Sequence, residues 1–435
     1  MTFSYATYAK ERAVRFFLVS YTDVMGVQRA KLVPAAAMDK IAAAGASFAG
    51  FATWLDMTPA DPDVFAMPDP DSLMQLPWKR EVAWVAADPW MHGKPVAHAP
   101  RVVLKRQIEL LANQGLRPKS GVECEFFLLK PDAAGIADAR DQQGKPCYDQ
   151  QALMRMFDLI ARISEAMAEL GWGPYQSDHE DANGQFEMNW TYADALVTAD
   201  RHSFFKFMAR SLAELAGYRA TFMPKPFADK SGNGCHVHLS LWSPDGASNL
   251  FVDPCGELGL SSLAYQAIGG LLANAEALCA LTNPTVNSFK RINGTMTTSG
   301  ATWSPNAVSY TGNNRTHMIR IPEGDRFELR LADGAANPYL LQAGLLASVR
   351  DGITQRRDPG PRHDNNMYTH PLPPGTCPRL PPNLLDALRS LRGSTALGDA
   401  FGMEFITAYQ RLKMQEWNAY TAHVSEWELQ TTLDC

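Results

Sequence analysis

The amino-acid sequence predicts an α+β fold in which a mixed sheet is combined with helices. Two periodicities in the 435-residue chain support this prediction. Short segments of apolar or alternating residues predict strands, and longer segments with apolar residues every three or four positions predict helices. The two kinds of segment follow one another in mixed order and include a hairpin, which is typical of an α+β protein or a mixed α/β sheet.

The first hundred residues contain several strand-like segments. Residues 15–21 (RFFLVSY) and 27–33 flank a turn-rich segment and predict the hairpin. Residues 82–86 (VAWVA) predict a short buried strand. Residues 56–71 are rich in Pro and Asp, so we expect an ordered loop there without a helix or a strand.

A domain boundary is predicted near residue 100. Residues 93–100 (GKPVAHAP) include Gly and Pro residues that interrupt regular structure. A helical run follows them, from residue 101 to about residue 115. We therefore divide the chain into residues 1–100 and residues 101–435.

Strands and helices alternate beyond this boundary. The predicted strands are residues 121–130, 186–190, 221–223, 235–241 and 326–331. One predicted helix follows Asp149 and ends at Gly171, and another contains Phe205 and ends at Gly217. Residues 264–281 are apolar but include a glutamate and two adjacent glycines, which indicates a buried or amphipathic helix rather than a membrane span.

The composition argues against several classes of function. With 40 Lys and Arg residues against 46 Asp and Glu residues, the net charge is −6, and no broad basic surface for nucleic acid is expected. Charged residues precede any apolar run at the N-terminus, so we expect no signal peptide. The seven cysteines are scattered without a C-x-x-C pair, which argues against a disulfide framework or a structural zinc site. We expect a cytoplasmic protein that binds neither nucleic acid nor a membrane.

Three predicted strands each carry two polar residues that are two positions apart and share one face. These pairs are Glu123 and Glu125, His236 and His238, and Glu328 and Arg330. Two carboxylates on an otherwise apolar strand indicate a neutralising cation, although an exposed strand face would also explain them. Each pair alone is a weak signal, because core histidines and ion pairs on strands are common. With Glu180 and Glu187 the set reaches five carboxylates and two histidines.

This set of side chains predicts divalent-metal sites. Mg²⁺ and Mn²⁺ prefer oxygen ligands with an occasional imidazole. Zinc enzymes more often show H-E-x-x-H or clustered cysteines, and the sequence has neither. Two such ions could act together as a clamp on phosphate.

Five arginines form a second group within forty residues. They are Arg291, Arg315, Arg320, Arg326 and Arg330. Guanidinium groups near acidic ligands suit bidentate recognition of carboxylate or phosphate, and a solvated ion-pair surface is the alternative. The sequence contains neither a Walker-type loop nor a G-x-G-x-x-G motif. A nucleotide would therefore be held by metal ions and arginines rather than by a glycine-rich loop.

The ordered set of motifs resembles the glutamine synthetase superfamily over nearly the whole chain. It is similar in type to the glutamate–methylamine ligases and to the divergent type III glutamine synthetases. The matching segments are residues 23–26, 31–34, 101–106, 122–127, 184–187, 222–226, 234–240, 283–291, 314–322, 326–330 and 336–339.

This resemblance implies a fold, an assembly and a reaction. The fold would have an N-terminal β-grasp domain in residues 1–100 and a catalytic domain in residues 101–435. The assembly would be a homo-oligomer, typically of two stacked rings, with active sites between neighbouring subunits. The implied substrates are glutamate, an amine and ATP, with Mg²⁺ or Mn²⁺ as the metal. ATP would phosphorylate the γ-carboxylate of glutamate, and a neutral amine would displace phosphate from γ-glutamyl phosphate.

The resemblance also implies roles for the residues at matched positions. The metal ion that organises the amino-acid substrate is held by Glu125, Glu180 and Glu187. The ion that bridges the ATP phosphates is held by Glu123, His236 and Glu328. A nearby carboxylate accepts the proton that the attacking amine loses, and Glu180 is the candidate.

The arginines are assigned in the same way. Arg291 corresponds to the arginine that grips the α-carboxylate of glutamate, with the backbone of Gly232 near the amino group. Arg330 faces the γ-carboxylate that is phosphorylated. The residues that serve ATP and the transferred phosphoryl group are Arg315, Arg320, Arg326, His238 and Ser240.

The sequence departs from the ammonia-using members of the superfamily at two acidic positions. Their F-D-G-S aspartate corresponds to a position in residues 48–51 (FAGF), and the glutamate of their flap aligns with Thr297 or Thr298. Residues 292–322 contain no acidic residue. An ammonium ion needs several acceptors, whereas an alkylammonium has fewer N–H donors and an apolar end. We therefore favour methylamine, or a similarly short alkylamine, as the substrate and γ-glutamylmethylamide as the product.

Other functions stay open at this point. An ammonia ligase could use Glu180 or Asp56 as its base. A polyamine or ethanolamine ligase would carry extra acids at the amine entrance. An inactive structural or regulatory member of the superfamily would have lost metal ligands or phosphate-binding arginines, and none is lost at the matched positions.

Three aromatic residues could line an apolar amine pocket. They are Phe51, Trp54 and Trp303. We interpret them instead as core residues, because large aromatic side chains are usually buried in the interior. Tyr368 is interpreted as an ordinary loop residue.

Overall fold

Two mixed β-sheets with helices packed against them form the protein. The structure is a computed structural model that describes residues 3–435. The predicted α+β class is confirmed, because strands and helices occur in mixed order along the chain. No helix of the described residues is long and apolar enough to cross a membrane.

The first sheet has seven strands and precedes residue 100. Its strands are β1 (Phe16–Thr22), β2 (Gln28–Pro34), β3 (Ala46–Phe48), β4 (Val64–Pro68), β5 (Met74–Gln75), β6 (Val82–Met91) and β7 (Lys94–Pro95). They are arranged in the order β2–β1–β6–β4–β3, with β5 and β7 also paired to β6. The predicted hairpin is confirmed as β1 and β2. Its turn forms because Asp23 Oδ1 accepts from the amide of Val27 at 3.0 Å and Gly26 adopts a φ of +84°.

The prediction of a loop without a strand at residues 56–71 is wrong. β4 lies inside this segment and pairs antiparallel with both β3 and β6. Val64 and Ala66 are fully buried and Phe65 is exposed, which is the alternation of a strand with one covered face. The Pro and Asp residues on both sides of this short alternating segment obscured it in the sequence.

The second sheet has nine strands and contains most of the candidate residues. Its strands are β8 (Arg117–Leu129), β9 (Pro174–His179), β10 (Gln185–Trp190), β11 (Ala193–Asp194), β12 (Arg219–Thr221), β13 (Cys235–Trp242), β14 (Tyr310–Thr311), β15 (Ile319–Arg320) and β16 (Phe327–Leu329). The order is β14–β15–β16–β13–β8–β10–β9, with β11 and β12 also paired to β8. The strand predicted at residues 221–223 ends at Thr221, because the ladder with β8 stops there and Pro224 follows closely.

Thirteen helices complete the described part of the chain. They are α1 (Tyr5–Arg12), α2 (Ala35–Ala44), α3 (Pro100–Ala112), α4 (Gln150–Arg155), α5 (Phe157–Glu169), α6 (Ala195–Leu215), α7 (Ser262–Thr282), α8 (Ser288–Ile292), α9 (Pro338–Thr354), α10 (Leu384–Gly393), α11 (Thr395–Phe401), α12 (Met403–Thr421) and α13 (Glu426–Thr432). The helix predicted after Asp149 is divided at Met156, where φ and ψ leave the helical region. The apolar helix predicted near residues 264–281 is α7, which packs in the core against α9.

A buried arginine connects the first sheet to the helices of the second. Arg101, in the first turn of α3, donates to Asp69 at 2.8 Å and to Asp88 at 3.0 Å. It also donates to both carboxylate oxygens of Asp200 in α6 at 2.9 Å, and Asp200 accepts from the hydroxyl of Tyr339 at 2.8 Å. Arg101 is 3% exposed, so these carboxylates replace the water that the guanidinium loses on folding.

Substitution of this arginine tests the connection. Arg101→Met is expected to lower the free energy of unfolding by about 3–5 kcal/mol, because it leaves three carboxylates beside an apolar side chain. Chemical denaturation followed by circular dichroism measures the change. Arg106→Met, at an exposed position of the same helix, is the matched control and should change stability by less than about 0.5 kcal/mol. Equal stability of the two variants would contradict the role of Arg101.

Candidate active site

One face of the second sheet carries the candidate site. β8, β10, β13 and β16 are neighbours, and their register places the predicted polar residues opposite one another. The opposed pairs are Glu123 with His236, Glu125 with Glu187, and His238 with Glu328. Because residues opposite each other or two positions apart share a face, this register gathers all six side chains.

Three carboxylates form the most acidic part of the site. Glu125, Glu180 and Glu187 each offer an oxygen, and these oxygens lie within 4.8 Å of one another. Burial and the charge of Glu125 raise the pKa of Glu180 to about 8. Burial and the charge of Glu123 raise the pKa of Glu187. Carboxylates this crowded are either protonated or bound to a cation, so this donor set fits a hard divalent ion.

A second group of possible ligands surrounds His236. Its Nδ1 lies 3.2 Å from Glu123 Oε2 and 3.7 Å from Glu328 Oε1. Its Nε2 is buried and has no hydrogen-bond partner among residues 3–435. Although burial opposes the change, hydrogen bonds with His236 and His238 lower the pKa of Glu123. An imidazole whose Nδ1 faces two carboxylates and whose buried Nε2 has no partner fits a second cation site.

Two arginines also hold Glu328. Arg320 Nη1 donates to Glu328 Oε2 at 2.8 Å, and Arg330 donates to Oε1. Although burial opposes the change, Arg330 and His236 lower the pKa of Glu328 to about 2. Glu328 is therefore ionised at neutral pH, and a cation at His236 would share this carboxylate with two guanidinium groups.

Two cavities meet at Glu123. The smaller cavity has a volume of about 110 Å³, and its lining includes Glu123, Glu125, Glu180, Glu187, Gly232, His236, Arg315, Arg320 and Arg330. The larger cavity has a volume of about 300 Å³, and its lining includes Glu123, His238, Ser240, Arg326, Tyr175, Tyr192 and Trp242. Charged groups dominate the first cavity, whereas aromatic rings and basic side chains lie side by side in the second, which suits a base and its phosphates.

Three residues that the sequence hypotheses placed at the site line neither cavity: Arg291, Glu328 and the alternative base Asp56. Arg291 is buried, and its guanidinium donates to the carbonyl oxygens of Leu331 at 3.0 Å and Trp303 at 3.4 Å. Asp56 forms a two-point ion pair with Arg411 at 2.7 and 2.5 Å. The described chain therefore does not bring Asp56, the alternative base, to the cavity.

The interpretation of three aromatic residues as core residues is wrong. Phe51 and Trp54 are 48% and 44% exposed. Phe51 lies in the short 3-10 helix Gly50–Ala52 and Trp54 in the turn that follows it, both between β3 and β4. Trp303 is half-buried and lines the smaller cavity beside Glu180.

The backbone between residues 231 and 234 forms part of the wall of the site. The amide of Gly234 donates to Glu125 Oε2 at 2.6 Å. A Cβ atom at Gly234 would lie 2.8 Å from His236 Nε2, and one at Gly232 would lie 2.4 Å from the carbonyl oxygen of Pro224. Both positions therefore need glycine, because any side chain would displace a candidate ligand or the backbone.

The sequence hypotheses missed two buried residues at this wall. Gln185 Nε2 lies 3.0 Å from Glu125 Oε2 and 3.1 Å from the carbonyl oxygen of Gly232, so it orients that carboxylate. Asp181 lines the smaller cavity and accepts from the hydroxyl of Ser231 at 2.5 Å. The sequence offers one signal for each residue. Gln185 lies in the matched segment 184–187, and Asp181 directly follows the candidate ligand Glu180.

A separate cluster lies on the opposite face of β8 and β13. Cys124 and Cys235 lie opposite each other in the register, and their sulfurs are 3.4 and 3.9 Å from His202 Nε2. The scattered sequence positions of the cysteines give no sign of this pair, which arises from the register of β8 and β13. All three residues are fully buried in the core beneath the candidate ligands, and none lines either cavity.

Similar proteins are found over the whole length of the chain. Residues 97–432 match the family described as glutamine synthetase, catalytic domain. A protein of Rhizobium leguminosarum bv. phaseoli named glutamine synthetase is 58% identical over 434 residues, and the match covers 100% of both chains. A protein of Methyloversatilis universalis named glutamate–methylamine ligase is 42% identical over 436 residues, and the match covers 98% of both chains.

Solved structures show the same likeness. A structure described as a GmaS/ADP complex superposes with a TM-score of 0.96 at 57% identity and covers 100% of both chains. A structure described as GmaS without ligand superposes with a TM-score of 0.94 at 56% identity and covers 99% of both chains. The predicted type of fold is confirmed by this agreement.

The crowded carboxylates predict pH-dependent metal binding. The folded, metal-free protein holds a proton on Glu180 up to about pH 8, whereas the unfolded chain releases it near pH 4.5. Between these values folding takes up a proton at Glu180, so stability falls as pH rises, and a bound cation, which stabilises the ionised carboxylate, offsets that loss. The increase in melting temperature caused by Mn²⁺ over EDTA should therefore be larger at pH 8 than at pH 6.

Glu180→Gln should weaken this pH dependence, because the amide does not titrate. Glu109→Gln, at an exposed position of α3, is the matched control and should behave as the unaltered protein. Differential scanning fluorimetry measures the melting temperature of each protein with Mn²⁺ and with EDTA, at pH 6 and at pH 8. An increase from Mn²⁺ that is the same at pH 6 and pH 8 in the unaltered protein would contradict this account.

Proposed function

This chain belongs to the glutamine synthetase family and is a glutamate–amine ligase that forms a C–N bond, and we propose that its amine substrate is methylamine. The observation that carries the proposal is the loss of both acidic positions that ammonia-using members place around ammonium. Thr297, not an acid, stands at the flap position, and residues 48–51 (FAGF) contain no acid in place of the F-D-G-S aspartate. The half-buried indole of Trp303 supplies apolar surface in the smaller cavity.

A second candidate function is the ligation of ammonia. It is favoured by the 58% identity to the Rhizobium leguminosarum protein named glutamine synthetase. The likeness to the structures described as GmaS and to the protein named glutamate–methylamine ligase favours methylamine. The two substrates differ by one methyl group, which is worth about 1–3 kcal/mol in an apolar pocket.

The proposed metal ligands follow the two groups of side chains. Glu125, Glu180 and Glu187 would hold one Mg²⁺ or Mn²⁺ ion. Glu123, His236 and Glu328 would hold the other. When bound, these ions would neutralise charge on the phosphate and carboxylate oxygens of the substrates.

The remaining roles are assigned to residues that line the cavities and to Arg291, which lies next to Gly232 and Gly234 in the wall. His238, Ser240 and Arg326 would hold ATP in the larger cavity. Arg315, Arg320 and Arg330 would neutralise the phosphoryl group as it moves to the γ-carboxylate of glutamate. Gly232 would contact the amino group of glutamate, and Arg291 its α-carboxylate. Glu180 would accept the proton that the amine loses in its attack on γ-glutamyl phosphate.

We further propose a division of the chain into two domains and an oligomeric assembly. Residues 1–100 would be a β-grasp domain and residues 101–435 the catalytic domain, in a homo-oligomer of two stacked rings. The exposed rings of Phe51 and Trp54 support this proposal, because such side chains are common where subunits meet. The seven free cysteines support a cytoplasmic location.

A direct comparison of amines tests the function. With glutamate, ATP and Mg²⁺, kcat/KM for methylamine should exceed that for ammonium by about tenfold or more. Phosphate release over a concentration series of each amine gives this ratio, and mass spectrometry identifies the amide. Omission of glutamate is the control. A preference for ammonium would leave the ammonia ligase as the function.

Substitution of Arg330 tests the phosphoryl-transfer role. Arg330→Lys keeps the charge but loses the second N–H donor, so kcat should fall by about 10²–10³-fold. Binding of ADP, measured by calorimetry, should change by less than about threefold. Arg389→Lys in α10, whose side chain is 65% exposed, is the matched control. A kcat unchanged by Arg330→Lys would remove Arg330 from the reaction.

A further inference from the structure

The segment that contributes Trp303 to the wall of the smaller cavity is hydrogen-bonded to Asp181, an acid at neither of the two acidic positions of the ammonia-using enzymes. We call residues 293–303 the flap. Thr297 Oγ1 and Ser299 Oγ each donate to Asp181 Oδ2 at 3.0 Å, and Ser231 Oγ donates to the same oxygen at 2.5 Å. Asp181 lies in the turn between β9 and β10, directly after Glu180. The carboxylate of Asp181 therefore lies next to Thr297, the flap position at which the ammonia-using enzymes carry a glutamate.

The other oxygen of this carboxylate has no donor. Asp181 is 6% exposed, and its Oδ1 is buried without a hydrogen-bond partner among the described residues. A buried carboxylate oxygen without a donor costs free energy, so such an atom in a cavity wall indicates a ligand that donates to it. An alkylammonium ion carries both the N–H donors and the positive charge.

The neighbouring indole supplies the apolar half of the same pocket. Trp303 Nε1 donates to Ser299 Oγ at 3.3 Å, and Ser299 in turn donates to Asp181. This chain of hydrogen bonds holds the indole and the carboxylate in one wall of the smaller cavity. A methylammonium ion, with a charged end and one methyl group, matches a carboxylate oxygen beside an aromatic ring.

We propose that Asp181 determines the amine specificity of this enzyme: Oδ2 fastens the flap, and Oδ1 accepts an N–H of the alkylammonium whose methyl group packs against Trp303. This inference deepens the proposed function and depends on it. Asp181 is supplied by the same chain as the flap, so amine binding and closure of the flap are coupled through one side chain. The carboxylate thereby shields γ-glutamyl phosphate from water when the amine is in place.

The isosteric variant Asp181→Asn tests the acceptor. It removes the charge with little change in shape, so KM for methylamine should rise at least 30-fold. KM for glutamate and for ATP should change by less than threefold. General damage to the site would not raise KM for methylamine alone. Asp132→Asn, at an exposed loop position, is the matched control and should leave all three KM values unchanged. Thermal unfolding in the presence of ADP shows whether each variant is folded.

A double variant tests the hydrogen bonds of the flap separately from the charge of Asp181. Thr297→Val combined with Ser299→Ala keeps the carboxylate and removes two of its three hydroxyl donors. Phosphate release without any amine should rise at least fivefold, because the loosened flap admits water to the intermediate. Trp303→Ala should lower the ratio of kcat/KM for methylamine to that for ammonium at least tenfold.

The outcomes distinguish this inference from the proposed function. An unaltered enzyme that prefers methylamine, with a KM for methylamine unchanged by Asp181→Asn, overturns the role of Asp181 and leaves the function intact. An unaltered enzyme that prefers ammonium overturns the function. Should Asp181→Asn not fold, the double variant decides, and an unchanged rate of phosphate release without amine overturns the inference.

Discussion

Repulsion between carboxylates on one face of the second sheet is the constraint on which the site depends. The register of β8 against β10 and β13 places Glu123, Glu125 and Glu187 together, and Glu180 joins them from the adjoining turn. Burial makes the repulsion stronger, as the raised pKa of Glu180 records. Arginines, histidines and backbone amides surround this cluster, and each lowers the cost of keeping acids in the interior. The cluster is therefore stable only as a binding site for positive charge.

Much of this arrangement could be predicted from the sequence. The spacing of two residues in Glu123 and Glu125, and again in His236 and His238, predicts side chains on one face of a strand. The order of the motifs resembles a known family, and this resemblance then implies which of these residues share a metal site. Periodicity also predicted the hairpin of β1 and β2 and the buried helix α7. Local patterns of this kind need no knowledge of distant contacts.

The parts that could not be predicted depend on contacts between distant segments. β4 is a strand because β3 and β6 provide partners on both sides, which its Pro-rich surroundings do not reveal. Asp181 meets Thr297 across 116 positions of sequence, so no motif records their hydrogen bond. The role proposed for Arg291 came from the sequence, but the hydrogen bond from its guanidinium to the carbonyl oxygen of Leu331 did not. In each case tertiary contacts decide what a residue can do.

The division of the site between sheet and loops has an evolutionary consequence. Shifting any of the four central strands by one position would turn the candidate ligands of that strand to the other face of the sheet, so the phosphoryl-transfer half tolerates little change in register. The flap and the turn after β9 are irregular segments with no such register. Substitutions there can alter the amine pocket while the strands stay in place. Acceptance of a new nucleophile can therefore evolve through a few loop residues, with the ancestral activation chemistry retained throughout.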